Sequence, residues 1–164
     1  MIKKLVIVII LGLIALFLQG MFLPLFLGDH YSPNLVTVLV VFIAMNYRDQ
    51  QGLFLMFVLG LLVDLAFAEL LGLWPSAYVT VFVVLLLLSQ HLFVESRMVV
   101  FLAVFACSII TEVAYLTGSG RLASVDLNFT FQLIVTTTLA GVFGVFIFPW
   151  LQKIIPSVDG RRRY

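Results

Sequence analysis

Charged residues are scarce in this sequence, since Lys, Arg, Asp and Glu make up 10% of its 164 residues while 63% are hydrophobic. Water-soluble domains usually contain about 25% charged residues, so the composition excludes an ordinary soluble fold. The formal net charge of +1 leaves no excess of basic residues for a nucleic-acid surface. The composition therefore predicts an integral membrane protein of one domain, with lipid as its main solvent.

Cysteine and catalytic motifs are also nearly absent. Cys107 is the only cysteine and lies in an apolar run, which excludes an internal disulfide and predicts a packing role. Ser89 and His91 are two residues apart, so a helix would direct them to different sides. His91 and Glu95 have helical spacing for two metal ligands, but no further ligand lies nearby in the sequence. The sequence thus predicts a protein that is not an enzyme and uses neither a metal ion nor another cofactor.

The apolar residues form six runs separated by short polar breaks. The first run is long enough to cross a hydrocarbon core of about 30 Å, and it lacks the small-residue cleavage site of a signal peptide. The second and fourth runs are shorter than the usual span of about 20 residues, which predicts a tilted helix, local bilayer thinning or partial burial among neighbours. We predict an all-α bundle of six transmembrane helices, at about residues 5–27, 33–46, 51–70, 75–91, 98–116 and 127–151, followed by a short basic tail at 152–164.

The basic residues predict the orientation of this bundle, because short cytoplasmic flanks carry an excess of Lys and Arg. With six crossings and the N-terminus inside, only Arg121 of the nine basic residues lies outside. We therefore expect both termini in the cytoplasm. The cytoplasmic set is then Lys3, Lys4, Arg48, Arg97, Lys153, Arg161, Arg162 and Arg163.

Two helix starts carry local signals. Ser32 followed by Pro33 fits an N-cap serine with proline at the first helical position, where the missing N–H has no cost. Pro75 is expected to play the same part at the start of the fourth helix.

The third helix carries a row of residues at every fourth position: Gly52, Met56, Gly60, Asp64 and Ala68. Small residues on such a row allow another helix to approach closely, which matters because lipid gives helices no hydrophobic reason to associate. The last helix has two matching rows, Thr136-Ala140-Gly144 and Thr137-Gly141. Each row predicts either packing within the bundle or a surface for a partner helix.

Two carboxylates fall within predicted spans, Asp64 and Glu112, and Ser108 and Tyr115 flank Glu112 at helical spacing. A charge at the bilayer centre costs about 2.5–3.5 kcal/mol on insertion scales, so such residues usually face protein or a cavity unless they reach water near the headgroups. No Lys or Arg lies within a span, so Asp64 is expected to bond hydroxyls, amides, backbone groups or water. The candidate side chains are Asn34, Thr80, Gln132 and Thr136.

Four short motifs stand out in the first two thirds of the sequence: Pro33-Asn34-Leu35, Gly52, the run from Gly60 to Asp64, and Leu71-Gly72. Together they resemble the rod-shape-determining protein MreD family. The resemblance is best over residues 33–90. It implies a bacterial inner-membrane protein of the cell-elongation machinery with no chemistry of its own.

The same resemblance implies a set of partners. MreC is the expected direct partner, whereas the actin-like MreB and the RodA glycosyltransferase with its penicillin-binding transpeptidase, which make side-wall peptidoglycan, are expected to be indirect ones. No nucleic acid is expected. The residues predicted to form a partner interface or a buried polar site are Pro33, Asn34, Gly52, Gly60, Asp64, Gly72 and Glu112.

A second class of function stays open at this point. The six-helix layout is also similar to the substrate-binding components of energy-coupling-factor vitamin transporters, which would require a vitamin pocket near the outer face. The predicted outer loops are short, however, and Gly12, Ala15 and Gly20 of the first helix are not spaced four apart as a transporter coupling surface would need. A gated ion or lipid pathway, suggested only by Asp64 and Glu112, is a third alternative.

Overall fold

The structure is a computed structural model that describes residues 2–27, 32–47, 49–67, 72–88, 96–120 and 126–155. Within these ranges all regular structure is helical. Several residues of the sequence predictions lie outside the described residues, as do the side chains of Lys3 and Lys4. They are Arg48, Ala68, Leu71, Ser89, His91, Glu95, Arg121, Arg161, Arg162 and Arg163. The elements are α1 (Ile2–Phe17), a π-helical segment (Leu18–Phe22), α2 (Leu23–Leu27), α3 (Leu35–Asn46), α4 (Gln50–Phe67), α5 (Leu73–Leu88), α6 (Arg97–Gly118) and α7 (Leu127–Ile154).

Four helical stretches are long and apolar enough to cross a membrane: Leu5–Phe26, Gln50–Phe67, Arg97–Gly118 and Leu127–Ile154. The first of them combines most of α1, the π-helical segment and most of α2. The two remaining apolar helices, α3 and α5, are shorter, with 12 and 16 residues. The protein is therefore an all-α membrane protein with four candidate spans among its described residues, and six crossings stay a prediction.

Helix α3 is short because it lies inside the bundle. Every residue from Leu35 to Met45 is buried, and α3 contacts α1, α4, α5, α6 and α7. A helix enclosed in this way has no lipid-facing surface whose length must match the bilayer. Partial burial among neighbours is thus the alternative that the structure supports for this segment.

The predicted rows of the last helix pack within the bundle. A side chain at Gly141 would come within 2.8 Å of the Phe101 ring, and one at Gly144 within 3.0 Å of Val104. Both neighbours belong to α6, so the small residues of α7 permit close α6–α7 contact, as small residues do between membrane helices.

One end of the bundle, which we call the distal end, gathers the start of α3, the end of α4, the start of α5, the end of α6 and the start of α7. The Trp74 and Tyr115 rings stack there with centroids 5.1 Å apart, and Leu73 packs against Gly118. In the predicted orientation this end faces away from the cytoplasm.

The predicted cap of α3 was wrong by two residues. Asn34 is the N-cap, and its side-chain oxygen accepts a hydrogen bond from the Thr37 N–H at 3.2 Å. The Ser32 hydroxyl donates instead to the Gln19 carbonyl at 2.9 Å, and the Gln19 side chain accepts from the Val36 N–H at 3.4 Å. Gln19 belongs to the π-helical segment, so this segment joins the first span to the start of α3.

Pro75 is the third residue of α5 and not the first, which corrects the second predicted helix start. It still lies in the first turn, whose N–H groups have no partner within the helix. Proline therefore costs α5 no hydrogen bond at this position.

Candidate functional site at the distal end

Asp64 joins the end of α4 to the start of α5. Its side chain is 2% exposed. One carboxylate oxygen accepts a hydrogen bond from the Gly72 N–H at 2.5 Å, and the other accepts from the Trp74 N–H at 3.2 Å. The first N–H groups of a helix lack partners within it and carry a positive partial charge. The carboxylate of Asp64 therefore supplies hydrogen-bond acceptors for these N–H groups and a negative charge opposite their positive one. We call this arrangement the Asp64 anchor.

The expectation that Asp64 bonds backbone groups is therefore the one that the structure supports. Three of the four candidate side chains are engaged elsewhere, because Thr80 donates to the Ser76 carbonyl, Thr136 donates to the Leu133 carbonyl and Asn34 caps α3. The fourth, Gln132, lines a cavity described below.

Gly60 allows the Asp64 anchor to form. It lies one turn before Asp64, and a side chain there would overlap the backbone of Trp74 and Pro75. The α4 helix therefore touches the backbone of the first turn of α5 directly. The Asp64 anchor also requires glycine at position 72. Gly72 has a φ of +99°, a conformation that residues with a side chain rarely adopt.

Gly52 lies two turns before Gly60, away from the anchor. Its N–H donates to the Asp49 side chain at 3.2 Å, and a side chain at this position would meet the Phe82 ring of α5 and the Tyr47 carbonyl. Gly52, Gly60 and Asp64 thus all contact α5. Together with Met56 they are the described members of the row at every fourth position, which we call the α4 row. A role of this row in contacting a partner stays a prediction.

A polar cavity of about 160 Å³ lies beside the anchor, between the start of α3, α6 and α7. We call it the distal cavity. Glu112 lies on its α6 side and is half-buried. Its lining residues are Ser32, Asn34, Thr37, Ser108, Glu112, Phe129, Gln132, Leu133, Thr136, Thr137 and Ala140.

Three buried hydroxyl groups lie in or next to this cavity without a hydrogen-bond partner, those of Thr37, Ser108 and Tyr78. Thr37 and Ser108 belong to the lining. Tyr78 lies beside Asn34 and Thr37, although no hydrogen bond of ordinary geometry joins them. Its ring lies 5.7 Å from that of Trp74, whose backbone N–H donates to Asp64. Tyr78 therefore connects the distal cavity to the Asp64 anchor.

The predicted site residues fall into two groups and one outlier. Gly60, Asp64 and Gly72 form the anchor, whereas Asn34 and Glu112 line the cavity next to the buried Pro33. Gly52 belongs to neither group.

Two residues of this site were missed by the sequence reasoning. Thr37 carries a signal, because it lies three residues after Asn34 and so shares its face of α3. Tyr78 carries none, since nothing in the α5 sequence indicates that its hydroxyl meets α3. Ser108 lines the cavity one turn before Glu112 as their spacing suggested, but Tyr115 stacks on Trp74 instead.

Comparison with known proteins supplies the family. The family model of the rod shape-determining protein MreD matches residues 1–155, which includes every residue of the anchor and the cavity. No curated protein and no solved structure matches the chain. A match over nearly the whole chain, on an all-α bundle with four candidate membrane spans, shows that this membrane protein belongs to the rod shape-determining protein MreD family.

Proposed function

We propose that the protein is a non-catalytic membrane scaffold of the bacterial cell-elongation machinery. It maintains rod shape with MreC as its direct partner and supports side-wall peptidoglycan synthesis through MreB, RodA and the penicillin-binding transpeptidase. It lies in the inner membrane with both termini in the cytoplasm, so that the distal end faces outward. The observation that carries the proposal is the family match over residues 1–155.

The chemistry of the buried polar groups supports a structural role. Both oxygens of Asp64 accept hydrogen bonds from the backbone, which fits an acid that holds two helices together. Thr111 and Thr137 donate to carbonyl groups of their own helices. Cys107 is buried and free, in keeping with the packing role expected from its apolar surroundings.

The size of the distal cavity favours the scaffold over a vitamin transporter subunit. Pockets for drug-sized ligands measure roughly 300–1,000 Å³, whereas this cavity measures about 160 Å³. The cavity is thus smaller than the usual pocket for a ligand of vitamin size.

Depleting the protein in its rod-shaped host is expected to give rounded, widened cells, because a scaffold of elongation is required for side-wall growth. The measurement is cell width and length by microscopy after depletion, with a copy of the unaltered gene as the control that restores rods. Cells that stay rod-shaped but acquire a vitamin requirement would reject the scaffold in favour of the transporter subunit.

A further inference from the structure

We propose that the distal cavity binds a primary ammonium group, either the aminoethyl headgroup of a membrane lipid or a small free amine. This inference concerns a ligand of the protein itself and does not rest on the proposed scaffold function. It follows from the charge, the hydrogen-bonding groups and the size of the cavity.

The charge of the lining selects against anions. Glu112 is the charged residue among the described lining residues, and Lys or Arg does not occur among them. Within the described part of the chain, Glu112 forms no salt bridge or hydrogen bond. A lone carboxylate in a low-dielectric setting repels phosphate and carboxylate groups and attracts a cation.

The hydrogen-bonding groups match an ammonium ion. The Thr37 and Ser108 side chains are 0% and 4% exposed, and their hydroxyl oxygens have no partner. Buried polar atoms without partners are uncommon in native structures, and each one calls for an explanation. A primary ammonium group has three N–H donors and no acceptor, which matches the acceptors that Glu112, Thr37 and Ser108 offer to one cavity.

The size and the apolar part of the lining favour an organic cation over a metal ion. A volume of about 160 Å³ is below the roughly 300–1,000 Å³ of pockets for drug-sized ligands, so the cavity suits a small group such as an aminoethyl group. Phe129, Leu133 and Ala140 also line the cavity and can contact methylene groups. Divalent metal ions prefer a close shell of oxygen ligands, which these apolar side chains would interrupt.

The experiment compares lipids that differ only in the ammonium group. The purified full-length protein is placed in nanodiscs of phosphatidylglycerol with added phosphatidylethanolamine or phosphatidylcholine, and retained lipid is measured by native mass spectrometry. Both added lipids carry a phosphate and a positive nitrogen, but the trimethylated nitrogen of phosphatidylcholine has no N–H donor. Free ethanolamine and choline are compared in parallel by thermal unfolding in phosphatidylglycerol alone.

We expect the protein to retain phosphatidylethanolamine in preference to phosphatidylcholine, or to be stabilised by ethanolamine and not by choline. Preferential retention of phosphatidylethanolamine identifies a lipid headgroup as the ligand. Stabilisation by ethanolamine without that retention identifies a free amine. Glu112→Gln should weaken binding of the preferred ligand by about tenfold or more, as expected for loss of a hydrogen bond to a charged group. Ser108→Ala should weaken it less, and Asp126→Asn serves as the matched control because Asp126 is exposed at the start of α7.

Equal retention of the two lipids, together with no difference between ethanolamine and choline, would show that the cavity does not select a primary ammonium group and would overturn the proposal. A preference that Asp126→Asn weakens as much as Glu112→Gln would overturn it too, because surface charge would then explain the binding. If Glu112→Gln does not accumulate, Ser108→Ala decides, and unchanged binding by that variant counts against the proposal.

Discussion

Replacing Asp64 with leucine is expected to destabilise the bundle strongly without preventing membrane insertion, because leucine is favourable in lipid. The change leaves the Gly72 and Trp74 N–H groups without acceptors. Each buried donor left unpaired costs about 1–3 kcal/mol, so the total loss is about 2–6 kcal/mol. Asp64→Asn should cost roughly half as much, because its amide has one oxygen that accepts and an NH₂ that faces the other N–H group.

The measurement is thermal unfolding in mild detergent together with membrane abundance and rescue of rod shape in a depletion strain. Asp126→Asn is the matched control, since Asp126 is an acidic residue at a helix N-terminus whose side chain forms no capping hydrogen bond. The predicted order of stability is unaltered protein and Asp126→Asn first, then Asp64→Asn, then Asp64→Leu. Full rescue and unchanged stability for Asp64→Leu would mean that the Asp64 anchor does not hold α4 to α5.

Adding a single methyl group at Gly60 is expected to have the second large effect. A Cβ atom there would overlap the backbone of Pro75 and Trp74, and backbone can move aside only if the whole start of α5 shifts. Overpacking of this kind costs about 1–3 kcal/mol, occasionally more. Gly60→Ala should also weaken the hydrogen bonds of Asp64, because the same turn of α5 donates them.

Gly144→Ala is the control, because its added methyl group meets the Val104 side chain at 3.0 Å and not the backbone. We expect Gly60→Ala to lower the unfolding temperature and membrane abundance, and Gly144→Ala to change both much less. A Gly60→Ala protein that accumulates normally but loses a partner would instead assign the α4 row to a partner interface. No effect of any kind would place Gly60 against lipid.

Each segment predicted from hydropathy overlaps a helix among the described residues, although six crossings stay a prediction. The physical reason is that a chain in lipid must satisfy its backbone hydrogen bonds internally, so long apolar runs become helices whatever their neighbours are. For the α4 row the spacing left packing within the bundle and a partner surface open, and Gly52, Met56, Gly60 and Asp64 all lie inside the bundle.

The partners of these residues could not be read from the sequence. Asp64 bonds the backbone N–H groups of residues eight and ten positions later. Nearly every residue has a backbone N–H, so the residue types at these positions do not show that it is a donor to Asp64. The N-cap of α3 could not be predicted for a similar reason. Ser32 and Asn34 are both good capping residues, and the Ser32 hydroxyl is instead bonded to the Gln19 carbonyl of another helical segment. The distal cavity exists only because three helices pack around it.

Purification of the protein from its native host in mild detergent, with identification of what remains bound, tests the proposed scaffold function most directly. The account predicts recovery of MreC together with the protein, in an amount that exceeds recovery from a strain producing a tagged, unrelated membrane protein. Recovery of an ATPase pair with a transmembrane coupling protein, and no MreC, would contradict the scaffold and indicate a transporter subunit.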